Sequence, residues 1–179
     1  LVPAFDDEAV RDRFQGQRAG RDFSFVQARI TQNRDARSEV VFEGQLVSLA
    51  RSKRLASPAV VLRKLGWVNP SDRPDDLRAI GLEDIRFNEL FAVFGSDQIE
   101  ARAVVTPSVM QRLADLQSDL AATHLSVAFV EGRLLAAIDS GACFEVGGMF
   151  STLVDRTRAR RVVRDLETVL AMIDALAAL

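Results

Sequence analysis

Two apolar, alternating runs, Leu125 to Val130 and Arg133 to Asp139, flank Glu131-Gly132, and they limit the fold more than any other stretch. A two-residue connection of this kind closes a β-hairpin and sets its register. It pairs Phe129 with Leu134, Val127 with Ala136, and Leu125 with Ile138 on one face. That face is apolar throughout, so it must be covered.

Two stretches have the amphipathic pattern of a cover. Thr106-Pro107 offers a capping hydroxyl followed by a proline at the first helical position, where its missing N–H costs nothing. Val109, Leu113, Leu116 and Leu120 then recur on one helical face, which predicts a helix over 107–121. From about 155 to 176, Ala159, Val162, Leu166, Val169, Ile173 and Leu176 make a second stripe, widened by Val163 and Leu170. A narrow seam sustained over many heptads would suit a coiled coil. This short, broad stripe predicts a helix lying on its own sheet.

Further strands are expected from Phe23 to Ile30 and from Glu39 to Leu49, joined through the polar turn Asn33 to Ser38. The second run carries Val40, Phe42 and Leu46 on one face and Val41, Val47 and Leu49 on the other, so it belongs inside a sheet. Ala59 to Leu65, after Pro58, and Leu90 to Phe94 complete the expected strands. Gly66 to Gly81, with Pro70, Pro74, Asp72, Asp75 and Asp76, reads as an exposed loop too short to separate two domains. Residues 1–20 read as a polar N-terminal extension in which Asp6 to Phe14 could form a short helix, and 21–179 as a single domain. The expected class is α+β: a curved, mostly antiparallel sheet or partial barrel of roughly six or seven strands. A mid-chain helix and a long C-terminal helix cover it.

Composition agrees with a globular core, at 48% hydrophobic and 27% charged residues. No apolar run approaches the about 18–20 residues of a membrane span, and no signal peptide is evident. The chain begins at Leu1 rather than Met, which reads as a fragment or a processed product. A single cysteine, Cys143, permits no internal disulfide and suits a reducing compartment. The net charge of −2 gives no general attraction to nucleic acid. Charge is unevenly placed, with nine Lys/Arg against four Asp/Glu from Arg21 to Lys64, and three against eight from Leu65 to Glu100. The clusters Arg51-Ser52-Lys53-Arg54 and Arg156 to Arg161 could meet phosphates. They lack interleaved aromatics, and the lone Trp67 lies outside both. Contact with an anionic membrane surface is therefore expected to be weak and electrostatic, with no specific nucleic-acid recognition. A protein is the expected partner.

Catalytic constellations are not found. His124 is the only histidine and sits at the mouth of the hairpin, while Cys143 lies near a Gly-rich turn. No G-x-S-x-G elbow, P-loop or dinucleotide fingerprint occurs, and one His with one Cys makes a poor zinc set. Neither a cofactor nor a metal is expected. The acid pairs Glu83/Asp84, Asp75/Asp76 and Asp97/Glu100 fall in loops or caps. The block Asp97-Gln98-Ile99-Glu100-Ala101-Arg102 admits two readings. In the first, Asp97 caps a helical turn starting at Gln98, Glu100 returns to the cap backbone, and Arg102 bridges to Glu83, Asp84 or Glu89. In the second, Asp97, Gln98, Glu100 and Arg102 face a cleft and bind a ligand or catalyse. A strand from Ile99 to Val105 is a further possibility for the backbone.

Successive blocks carry a resemblance. They are Val41-Phe42-Glu43-Gly44-Gln45-Leu46; Leu82-Glu83-Asp84 leading to Phe87 through Phe94; Asp97 through Arg102; Thr106 through Leu113; and Val127 through Leu134. Over about 41–176 the chain resembles the bacterial domain-of-unknown-function family three-one-three-seven. It departs from the family at Ala103, where an aromatic is usual. The resemblance implies a bacterial protein whose fuller-length relatives carry transmembrane helices upstream, hence a cytoplasmic domain at the inner face of a membrane. It supplies no activity and no catalytic residues. The resulting expectation is a non-enzymatic interaction module, the alternative an unrecognised enzyme or small-ligand-binding domain using Asp97, Glu100 and Arg102.

Overall fold

The computed structural model describes residues 1–2, 6–34, 37–51, 55–64, 76–120, 123–141 and 156–179, with backbone alone at 34 and 156–162. In chain order the elements are β1 (Asp7–Arg18), β2 (Arg21–Arg34), β3 (Arg37–Ala50), β4 (Ala59–Arg63), β5 (Arg78–Ile80), α1 (Ile85–Leu90), β6 (Phe91–Gly95), α2 (Gln98–Val104), α3 (Pro107–Asp119), β7 (His124–Val130), β8 (Arg133–Asp139) and α4 (Arg156–Ala177).

The β7–β8 hairpin takes the expected register, with Phe129 opposite Leu134, Val127 opposite Ala136 and Leu125 opposite Ile138. Its turn works because Glu131 and Gly132 both adopt positive φ, 49° and 75°. Two successive left-handed residues make the tight turn whose twist matches the strands. Around this hairpin the sheet runs β1-β2-β3-β8-β7-β4-β6-β5, with every ladder antiparallel. Its two edges, β1 and β5, do not meet, so the curved sheet stays open.

The sheet has eight strands against an expected six or seven, and β1 and β5 are the ones not foreseen. Residues 7–18, part of which was expected to be helical, instead form β1, paired along its length with β2. Pairing to a neighbour outweighs a polar composition here, because strand propensity depends strongly on what lies alongside. The register slips between Val10 and Asp12, and the strand carries Asp7, Glu8, Arg11, Asp12 and Arg13. A bulge and charges together blunt an edge against further pairing. β5 lies within the expected loop and pairs with β6 through Arg78↔Gly95 to Ile80↔Val93. Residues 66–75 of that loop, and Leu65 before it, lie outside the described residues. Helix α1, capped by Asp84 accepting from the Phe87 N–H, was not expected. Residues 98–104 are helix rather than strand.

Helices α3 and α4 cover the apolar face as expected. Val109, Leu113 and Leu116 of α3 and Val169, Met172, Ile173 and Leu176 of α4 join Phe25, Val47, Leu125, Val127, Phe129 and Ile138 in one core. Val163 does not widen the stripe, since it is 54% exposed. The Ala159 and Val162 side chains lie outside the description. Arg18 fastens α4, donating Nε and Nη2 to the Asp174 carboxylate at 2.8 and 2.7 Å. The opposite face of the sheet also buries Ile30, Phe42 and Ala137, and Val60, Leu77, Phe94 and Ala128. β3 thus contributes to both sides, with Val47 and Leu49 on one and Phe42 on the other. Among the described residues no helix is long and apolar enough to cross a membrane.

Candidate functional site

The Asp97–Arg102 block sits where β6 hands over to α2. Asp97 is the N-cap of α2, and its Oδ1 accepts from the N–H groups of Ile99 (2.8 Å) and Glu100 (2.9 Å). That satisfies two of the donors a helix start leaves open. Glu100 does not close the expected capping box. Its Oε2 instead accepts from the Ser57 N–H at 2.7 Å, in the segment leading into β4. Arg102 does not bridge to Glu83, Asp84 or Glu89 either: its Nη2 donates to the Gly81 carbonyl at 3.0 Å, just after β5. Gln98 is exposed at the first helical position. The structure therefore brings Asp97, Glu100 and Arg102 to three backbone segments rather than to one another's charges. Gly95 fits closely beneath, where an added Cβ would lie 3.1 Å from the Ala101 Cβ.

A second polar group lies across the β7–β8 ladder. His124 stands opposite Asp139, and its Nε2 is 2.7 Å from the Ser126 Oγ. Thr123 donates both its N–H and its hydroxyl to the Asp139 carbonyl, each at 2.8 Å. The residue types match a hydrolytic triad, but the geometry does not. A nucleophile must reach its substrate and the acid must hold the other imidazole nitrogen. Ser126 is 0% exposed, and the buried His124 Nδ1 has no hydrogen-bond partner among the described residues. Ser126 and His124 are hydrogen-bonded along β7, and Asp139 faces His124 across the ladder and acts on it through its charge. The sequence places His124 at the mouth of the hairpin, and the hairpin register already sets it opposite Asp139.

Electrostatics around His124 yield a pH dependence. Burial pushes the imidazole below its ordinary 6.5, the nearby Asp139 opposes this, and the Leu1 amino group and Arg63 add to the lowering. Burial also pushes Asp139 above 3.8, against the Glu43 backbone N–H and His124. Between the lowered folded value of His124 and 6.5, the unfolded chain binds more protons. His124 therefore contributes stability that is full above 6.5 and is lost as pH falls toward the folded value. Asp139 acts with the opposite sign, its contribution being lost as pH rises from 3.8 through its raised value. Thermal unfolding followed from about pH 7.5 down to about 5 should show Tm falling less steeply in His124→Gln than in the unchanged chain. Identical slopes would contradict the assignment.

Of the two basic clusters, Arg51 is described, with its guanidinium 4.8 Å from the Phe129 ring centroid. Ser52, Lys53 and Arg54, the side chains of 156–161, Cys143 and the Gly147-Gly148 turn lie outside the described residues. Among the described residues no three His, Cys, Asp or Glu side chains gather to hold a metal ion.

An open antiparallel sheet with two long helices on one face, a capped junction at α2 and a polar group at the β7–β8 ladder defines a small α+β domain. Residues 40–178 match the family described as protein of unknown function (DUF3137), and the chain belongs to that family. Comparison with curated proteins gives no match. A similar solved structure is the crystal structure of the mycobacterial trehalose monomycolate transport factor A, TtfA. It is 14% identical, with a TM-score of 0.49 over 95% of this chain and 75% of that one.

Proposed function

We propose that the domain is a non-enzymatic interaction module that docks a protein partner at the cytoplasmic face of a bacterial membrane. The observation that supports it is the use of Asp97, Glu100 and Arg102. Each is turned to backbone N–H or C=O groups of α2, of the segment before β4, and of the segment after β5. Groups engaged in this way brace a framework, and a ligand would have to displace them. The family resemblance supports the bacterial and membrane-proximal setting.

Stability measurements separate this reading from a ligand site at the same residues. Asp97→Ala should cost about 0.5–2 kcal/mol, the usual loss for an N-cap. Glu100→Ala should cost about 1–3 kcal/mol, because the Ser57 N–H loses a charged acceptor in a half-buried position. Urea denaturation of the two variants gives both numbers. Site residues held for chemistry commonly lower stability, and their removal raises it. Midpoints that stay level or rise in both variants would defeat the interaction-module reading in favour of the ligand site.

A further inference from the structure

One end of the sheet gathers arginines on the face that α4 covers. The β1–β2 turn places Arg18 opposite Arg21. The β2–β3 register ends with Phe23 opposite Leu49, and the two strands carry Arg21 and Arg51 on from that pair at the same end of the sheet. Arg18 is matched by Asp174. Arg21 and Arg51 are not matched by any carboxylate among the described residues. Arg21 donates Nη1 to the Ala177 carbonyl at 2.8 Å, at the C-terminal end of α4. Arg51 is anchored through its backbone N–H to the Gly132 carbonyl at 2.8 Å and lies over the Phe129 ring. It is half-buried, and both that burial and the charge of Arg21 lower its pKa.

Capping and stacking account for where each side chain lies. They do not account for holding a second cation, partly out of water, beside the first, since like charges in that setting repel and lose hydration. An anion between them would offset both costs. A guanidinium stacked on an aromatic ring is also fixed in orientation, so little freedom is lost when its N–H groups meet an acceptor.

We propose that Arg21 and Arg51 form a binding site for a phosphoryl group. Two guanidiniums at one end of the sheet suit the several oxygens of a phosphate, which can accept from both planar forks at once. A lipid headgroup and a soluble phosphate offer this same chemistry. The site deepens the interaction-module reading by naming the ligand chemistry of one face. Its failure would leave the Asp97 and Glu100 stability measurements untouched.

The test offers the 179-residue chain inorganic phosphate, vesicles of phosphatidylglycerol with phosphatidylcholine, and phosphatidylcholine vesicles as a blank. Arg51→Gln should weaken binding of whichever probe is bound by about tenfold or more, the loss of a charge-assisted pair. Arg51→Lys, which keeps the charge but not the fork, should weaken it by at least about threefold. Arg78→Gln, on the exposed opposite edge of the sheet, should change it less than about twofold. Binding of free phosphate supports a soluble ligand, and binding of phosphatidylglycerol vesicles without phosphate supports a headgroup. Circular dichroism checks folding, and if Arg51→Gln does not fold, Arg51→Lys carries the comparison. The proposal is overturned if neither probe binds, if the Arg51 variants bind unchanged, or if Arg78→Gln weakens binding as much as they do.

Discussion

Replacing Ile173 by alanine is expected to cost the fold about 2–5 kcal/mol, read as a lowered urea midpoint at unchanged m-value. Ile173 is 0% exposed and lies at the middle of the buried face of α4, in the same core as Phe25, Val47 and Leu49. Truncation removes apolar area from the core and leaves a void among the packed side chains of α4 and the sheet. The stripe in the sequence assigns Leu166→Ala the same loss. Leu166 is only partly buried in the structure, so its cost should be clearly smaller. A seam built for self-association would behave differently. The Ile173 variant would then keep its monomer stability and change its sedimentation, and that pattern would refute the packing of α4 on this sheet.

Gly44→Ala should be at least as damaging, at more than about 3 kcal/mol, the upper end of overpacking costs. The reason is space rather than conformation. A Cβ at Gly44 would run into the Ile138 carbonyl oxygen and lie 2.9 Å from the Asp139 Cα. Both obstacles are backbone of β8, where it leaves the β3 ladder and the Gly141 N–H bonds the Glu43 carbonyl at 3.0 Å. Relief would require separating two central strands. Gly81→Ala is the matched control, since a Cβ there meets nothing within 4 Å. It should change stability by less than about 1 kcal/mol. Equal losses in the two variants would show that steric contact at β3–β8 is not the cause.

Features written locally were legible in the sequence. Glu131-Gly132 fixes the β7–β8 register by turn geometry alone, and Thr106-Pro107 marks the start of α3 with the Thr106 hydroxyl accepting from the Val109 N–H. The cap by Asp97 spans only two or three residues and was found for the same reason. What failed was non-local. Glu100 reaches Ser57 across 43 residues, and Arg102 reaches Gly81 across 21. No spacing rule favours those partners over the backbone of the cap or the nearer acids. β1 failed because its residues are mostly polar and exposed, and only the pairing with β2 makes them a strand. Three-residue β5 and six-residue α1 are too short for periodicity to show. The Ser126–His124–Asp139 trio was within reach, because the hairpin register predicted the facing pair. It was missed because His124 was weighed with Cys143 and not with the residue facing it.

The strand order also dictates how the chain must assemble. β1–β2, β2–β3 and β7–β8 are each neighbours in sequence and in the sheet, so they can zip from their turns at small entropic cost. The seam between β3 and β8 is different, since Gln45 must find Ile138 and Ala50 must find Arg133. The second seam, Ala59 with Phe129, closes a loop of similar length. Both seams meet on the β7–β8 hairpin. Its arrival joins the N-terminal ribbon to β4, β6 and β5, and it must come late in synthesis. Until then Phe42, Val47 and Val61 have no β7–β8 hairpin to shield them, so the nascent chain passes through its most association-prone stage just before that hairpin emerges.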